Sequence, residues 1–396
     1  MPKMAVSRDH TLFADDTESG ATLSADARLL AESPAAADHF TQQSFDILVS
    51  GHALAVELIS TDARDGGLAN VGGLLRDAAV AANADPGEVA LTVREGGLAP
   101  RDLWHARLRQ LGAGPLCVVR DPRNTRWQDL WDLRNERHLR VAMATEVASA
   151  CPLLGPEPGT VVIPGTQVLA PVASAWVSRR IRLPDFVTAE GQVDEAGLLR
   201  AAAGAVESGE HGFTSARWPT PRMRHDAWLN RRLAIELAGI GTMVARLRLD
   251  PGEFSTLLLT ERLVARVRDA LVRQSRRLAE TFGPVPVLEQ AGRVPPMPDK
   301  RLREGWQRRW RQALDSSAQR HRNLLVMSPW ALFPEDGVAA YRYANLAPLL
   351  RYADACVISE PPDTSGWTFA EFVNFHRQVA AVLQQRFTER QIAEPA

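Results

Sequence analysis

The sequence predicts a soluble mixed α/β protein (α+β in its segregation), strand-rich in its N-terminal half and built on long antiparallel helices in its C-terminal half. Three observations predict this. Hydrophobic content is 45% and charged content 23% over 396 residues, enough for a large core. Short apolar runs closed by turn residues recur before residue 190, and period-3.6 apolar stripes follow it.

In chain order, residues 1–40 read as a disordered tail, with Asp15, Asp16 and Glu18 among Ser, Thr, Ala and Gly. Residues 41–396 read as one large domain, with 41–190 as a strand-rich part and 191–396 as a helical part. Phe45–Val49 and Ala53–Ile59 read as strands joined at Ser50-Gly51-His52 by a hairpin turn. Helices are expected over 68–84 and 98–111, and strands at Leu116–Val119, Val141–Val147, Val161–Ile163 and Ala175–Val187. From Asp226 to Leu249, Leu229, Leu233, Leu237, Ile240, Val244 and Leu247 recur at steps of three and four, which predicts one long amphipathic helix. Gly239-Ile240-Gly241 falls inside it and reads as close helix packing. Asp250-Pro251-Gly252-Glu253 reads as the capped start of a second helix ending at Gly283-Pro284. The five prolines of 283–299 read as a connector, and 300–320 as a basic helix carrying Trp306 and Trp310. Leu324–Met327 and Ala355–Ile358 read as buried strands. Thr368-Phe369-Ala370-Glu371 reads as a capping box opening a last helix toward Phe387.

Composition also excludes function classes. Lysine occurs only at Lys3 and Lys300, so 44 of the 46 basic residues are arginine. A Schiff-base or phosphate-loop lysine is therefore disfavoured. Cys117, Cys151 and Cys356 form no C-x-x-C pair, so neither a zinc site nor a redox motif is expected. The net charge of −1 argues against nucleic acid as a partner. With no eighteen-residue apolar run there is no membrane expectation, and the reading is cytoplasmic with no cofactor and no metal.

The densest cluster is Arg222 to Arg232, where Arg224, His225, Trp228, Arg231 and Arg232 fall at an expected helix start. Helix starts favour anions, and guanidinium groups supply forked donors. His225 is an acid/base candidate at neutral pH. His321 before a buried strand, Tyr343 among the clustered tyrosines, and Trp367 and His376 in the aromatic C-terminal helix complete the candidate set. Each also has an ordinary packing explanation.

Val118-Val119-Arg120-Asp121-Pro122 followed by His138-Leu139-Arg140-Val141, with Leu229-Asn230-Arg231-Arg232-Leu233 later, resembles thiopeptide pyridine synthases, relatives of lanthipeptide dehydratase elimination domains. Asp121 stands where that family carries tyrosine, and Ala142 where it carries a second arginine. The resemblance implies a cofactor-free lyase or cyclase acting on a modified precursor peptide with its leader. Such an enzyme joins two dehydroalanines in a formal [4+2] cycloaddition, with loss of water and leader. His225, Tyr343 and His376 would then be catalytic. Arg224, Trp228, Arg231, Arg232, His321 and Trp367 would bind substrate. The alternatives are a non-catalytic peptide- or anion-binding protein using an Arg/Trp surface, and another cofactor-free isomerase or lyase.

Overall fold

The structure is a computed structural model. It describes residues 18–58, 67–85, 88–94, 116–120, 139–143, 145–147, 157–159, 161–162, 169–291, 318–327, 358–359 and 366–378, with single positions between them (128, 131, 154, 349, 351, 352, 381). The chain is a mixed α/β protein. Its strands are β1 (Glu18–Ala25), β2 (Ala53–Leu58), β3 (Val89–Arg94), β4 (Leu116–Arg120), β5 (Leu139–Met143), β6 (Thr145–Val147), β7 (Glu157–Gly159), β8 (Val161–Val162), β9 (Leu169–Ala170), β10 (Ala175–Arg182), β11 (Arg232–Ala238), β12 (Asn323–Met327) and β13 (Ile358–Ser359). Its helices are α1 (Ala27–Glu32), α2 (Pro34–Val49), α3 (Gly67–Ala82), α4 (Glu195–Ser215), α5 (Pro221–Asn230), α6 (Ile240–Arg246), α7 (Phe254–Phe282) and α8 (Pro286–Ala291), with a further helix over 369–378.

Nine strands form one sheet in the order β12-β11-β10-β1-β2-β3-β4-β5-β13. Strands β1 to β5 run parallel, and β10 to β12 form a second parallel block. The blocks meet antiparallel at β1 and β10, and β13 closes antiparallel on β5. Strands from both sides of residue 190 therefore share one sheet.

Side-chain alternation gives this sheet two unlike faces. One carries Leu54, Val56, Leu58, Val89, Leu91, Val177, Ile181, Leu233, Ile235 and Leu237, which join one core with Ile47 of α2, Leu75 of α3, Leu198 of α4 and Leu271 of α7. The other, the polar face, carries Gly20, Thr22, Ser24, Ala55, Glu57, Thr92, Trp176, Ser178, Arg232 and Glu236.

The helix layer sits tightly on the apolar face. A Cβ added at Gly209 of α4 would lie 2.4 Å from Leu233 Cδ1 and 2.8 Å from its Cδ2. Leu233 is fully buried and has nowhere to swing. Gly209→Ala is therefore expected to cost about 1–3 kcal/mol through overpacking, more than the ~1 kcal/mol of helix propensity gained. A lowered melting temperature checks this; an unchanged one would show that α4 can shift outward.

Several expectations are corrected. Residues 18–40 are β1, α1 and the start of α2, so the expected tail does not extend to residue 40. Phe45–Val49 is the end of α2, whose start is set by Ser33 capping Ala36 N and by Pro34 at the first position. No hairpin joins it to β2, because β2 pairs in parallel with β1 and β3. The long helix expected from Asp226 to Leu249 is three elements: the end of α5, β11, and α6. Arg231 (φ 41°) and Gly239 (φ 74°) adopt left-handed backbone on either side of β11 and punctuate the run. Gly239 thus marks a strand-to-helix turn, not helix packing. Asp250 closes a turn onto Gly252 N, and the backbone of Glu253 caps α7 instead. The strand from Ala175 ends at Arg182, followed by a 3₁₀ turn over Leu183–Phe186. The Thr368–Glu371 capping box is present, with Glu371 accepting from Thr368 N and Thr368 Oγ1 accepting from Glu371 N. The expected helix at 98–111, residues 300–317 of that expected over 300–320, and Tyr343 lie outside the described residues, while residues 318–320 are described and not helical.

Candidate functional site

At the start of β11 the chain gathers opposite charges below the surface. Glu157 of β7 accepts from Arg232 Nε at 2.9 Å and from Arg232 Nη2 at 2.6 Å, a forked pair. Arg232 Nη1 donates to Asp226 Oδ2 at 2.5 Å, and Arg322 Nε lies 3.0 Å from Glu157 Oε2. Asp226 also accepts from Ala175 N and from Asn230, and Arg322 donates to Asn230 Oδ1. Burial pushes the Glu157 carboxyl up, but the hydrogen bonds and charge of Arg232 and the charge of Arg322 outweigh it and hold it below the usual range. This lattice ties together α5, β10, β11, the approach to β12, and the connection between β5 and β10.

A second lattice surrounds Glu210 of α4. Its carboxylate lies 2.5 Å from Arg231 Nη2, 3.1 Å from Arg320 Nε and 3.2 Å from His321 Nε2. Burial raises this carboxyl, yet His321 and Arg231 bring it down to about 2. Ser275 Oγ lies 3.1 Å from His321 Nδ1 while accepting from the backbone N–H groups of Arg320 and His321. Neutral His321 can accept at Nδ1 from Ser275 with Nε2 turned toward Glu210, and burial holds its pKa below the ordinary histidine value. Ser275, His321 and Glu210 have the connectivity of a nucleophile–base–acid relay. Ser275 and His321 are wholly buried, however, so the group is closed to substrate and braces α4 and α7 against the segment leading into β12.

The residues singled out from sequence occupy different environments. Arg224 and His225 are exposed on α5 beside Trp228, which is 53% exposed, with the His225 and Trp228 rings 5.7 Å apart. Arg231 and Arg232 are buried in the two lattices, Arg231 against Glu210 and Arg232 between Glu157 and Asp226. Leu229–Leu233, read as part of a long helix, spans the α5–β11 junction. His376 is enclosed by Phe372 and Phe375, and burial pushes it down to about 4. Trp367 is half-buried, edge-on to Phe375.

A set that sequence reading missed lies on the polar face. Parallel register places Ser24 beside Glu57, Glu57 beside Thr92, Thr92 beside Cys117, and Cys117 beside Arg140. The row crosses the carboxyl ends of β1 to β3, where parallel α/β sheets bind ligands. Glu57 is 5% exposed and Thr92 fully buried, while Ser24 is exposed. A buried carboxylate therefore stands one strand in from solvent. Only the alternation of β2 and β3 could have flagged these residues, which lie more than thirty positions apart. Among the described residues, no cluster of three or more His, Cys, Asp or Glu suits a metal ion, and no helix is long and apolar enough to cross a membrane.

No protein-family model matches the chain, and no curated protein matches it. Among solved structures it is similar to the Actinobacillus ureae class Id ribonucleotide reductase alpha subunit, with a TM-score of 0.52 at 10% sequence identity. The likeness covers 77% of this chain and 57% of that one, and it is a likeness of fold.

Proposed function

We propose that the protein is an enzyme-type α/β protein that holds a ribonucleotide against the polar face of its sheet, with the sugar hydroxyls at Glu57 and Thr92. The observation carrying this is Glu57, a carboxylate buried at the carboxyl end of a parallel strand and one strand from the exposed Ser24. Glu57 and Thr92 both have partners within the protein, which hold them in place, and a carboxylate has lone pairs enough to accept from vicinal hydroxyls as well. The ligand class is taken from the name of the fold neighbour; the proposal concerns binding.

A second reading, peptide or anion recognition on α5, is favoured by exposed Trp228 with Arg222, Arg224 and His225 on one helix. Dehydroalanine-peptide cyclisation is the catalytic form of a peptide reading. Titration calorimetry with ribonucleoside mono-, di- and triphosphates, and with a leader-bearing dehydroalanine peptide, separates them. Ribonucleotide binding weakened about tenfold or more by Glu57→Gln, and unchanged by Trp228→Ala, is expected. Peptide binding abolished by Trp228→Ala, with no ribonucleotide binding, would replace this reading with the second. Loss of water and leader by mass spectrometry would establish the cyclase.

A further inference from the structure

The connection between β5 and β10 carries two small antiparallel pairs, β6 with β7 and β8 with β9. β8 lies against β2 and β3 of the main sheet, and Val161 and Ala170 are fully buried. The apolar face of β2 and β3 is already occupied by α2 and α3. The connection therefore has the polar face, where Glu57 and Thr92 stand, as its place of contact. Its β7 end is tied to the sheet through Glu157, by a forked bond to Arg232 and a contact to Arg322.

From this juxtaposition we infer that Glu157 is a positioning residue. It pins β7 to the start of β11 and the approach to β12, so that β8 and β9, which follow it, wall the Glu57 site. Burial makes the pin specific. Arg232 is enclosed and has a second carboxylate, Asp226, which fixes its fork toward Glu157. Arg322 is likewise oriented by Asn230 Oδ1. Glu157 thus meets two guanidinium groups already aimed by residues of α5. A neutral amide in its place keeps the shape but leaves both cations without their shared carboxylate, so β7 loses this charged tie while the main-sheet hydrogen bonds remain. The wall of the ligand site then opens without loss of the sheet.

The role in ligand binding rests on the ribonucleotide reading; the anchoring does not. The test is limited proteolysis of the full chain, wild type, Glu157→Gln and Glu157→Asp, with cleavage sites mapped by mass spectrometry at a temperature where circular dichroism shows all three folded. Cleavage within 144–170 is expected to quicken about tenfold or more in Glu157→Gln, with the rest of the chain as protected as in wild type. Glu157→Asp, which keeps the charge, is expected to restore part of the protection. A ribonucleoside diphosphate should slow cleavage of this segment in wild type and much less in Glu157→Gln. Cleavage that is unchanged, or that rises evenly along the chain, would overturn the inference. Segment-specific cleavage with no effect of any ribonucleotide on wild type would leave the anchor standing and sink the ligand reading.

Discussion

Arg232→Ala is expected to lower stability by about 3–5 kcal/mol, a large share of the whole for a protein of this kind. The magnitude follows from what the truncation strands. Glu157 and Asp226 would each lose a buried cation, and Arg232 itself is nearly solvent-free, 4% exposed in its side chain. Asp226 would keep its bonds from Ala175 N and Asn230, and Glu157 its contact with Arg322, which limits the loss. The control is Arg266→Ala. Arg266 pairs with Glu195 on the surface, with its side chain 52% exposed, and such pairs contribute under about 1 kcal/mol. Denaturant midpoints followed by circular dichroism measure both. Equal, small losses would show that the Arg232 lattice is effectively solvated.

The second large effect is acid sensitivity in two separate windows. His376 is brought from 6.5 to about 4 by burial. Its folded pKa lies below the unfolded one, so the unfolded state takes up the proton first as pH falls. The stability from a neutral His376 is complete above pH 6.5 and lost progressively down to pH 4, about 3 kcal/mol in all. Glu210, at about 2, acts lower down. Its contribution is present above its ordinary value of 4.5 and is lost as pH falls toward 2. Unfolding curves at pH 7, 5.5, 4 and 3 should therefore show two successive losses. His376→Phe, placing a ring of similar outline between Phe372 and Phe375, is expected to shrink the upper loss, leaving the part that buried His321 and His52 contribute, and to leave the lower one unchanged. Unaltered loss between pH 6.5 and 4 in that variant would place its origin elsewhere.

What could be read from the sequence depended on whether local pattern and tertiary role agreed. β2, α3, β4, α7 and β12 were legible from their apolar spacing, even where an end signal misled, as the hairpin turn read before β2 and the Asp250 cap read for α7 did. β11 was not, because Leu233, Leu237, Ile240 and Val244 fit a helical stripe while Leu233, Ile235 and Leu237 fit an alternating strand. Gly239 in its left-handed conformation decided between them. β1 was read as tail for a different reason. Its Gly20, Thr22 and Ser24 are small and polar because they lie on the polar face at the junction of the two parallel blocks, so the usual hydrophobic strand signal is missing. α2 betrayed itself only through Ser33-Pro34, a start signal weaker to the eye than the apolar run at its end.

The candidate site was hidden more deeply. The arginine-rich stretch from Arg222 to Arg232 stood out as a block, yet the fold divides it. Arg222, Arg224, His225 and Trp228 face solvent, while Arg231 and Arg232 turn inward to Glu210 and Glu157. Density in sequence measured charge but not direction. Glu57 and Thr92 lie in separate strands, each unremarkable alone, and become a set only through parallel register. Glu157 likewise carries no local motif; its meaning comes from two arginines 75 and 165 positions away.

The most direct test of the proposed ribonucleotide site is photo-crosslinking of the full chain with a photoreactive ribonucleoside diphosphate, with the adducts mapped by peptide mass spectrometry. Adducts on peptides from the carboxyl ends of β1 to β3 and from the 144–170 connection are expected, competed away by unmodified ribonucleotide and reduced in Glu57→Gln. Adducts confined to the α5 peptide bearing Arg222 to Trp228, or labelling that unmodified ribonucleotide does not suppress, would contradict a ligand site on the polar face.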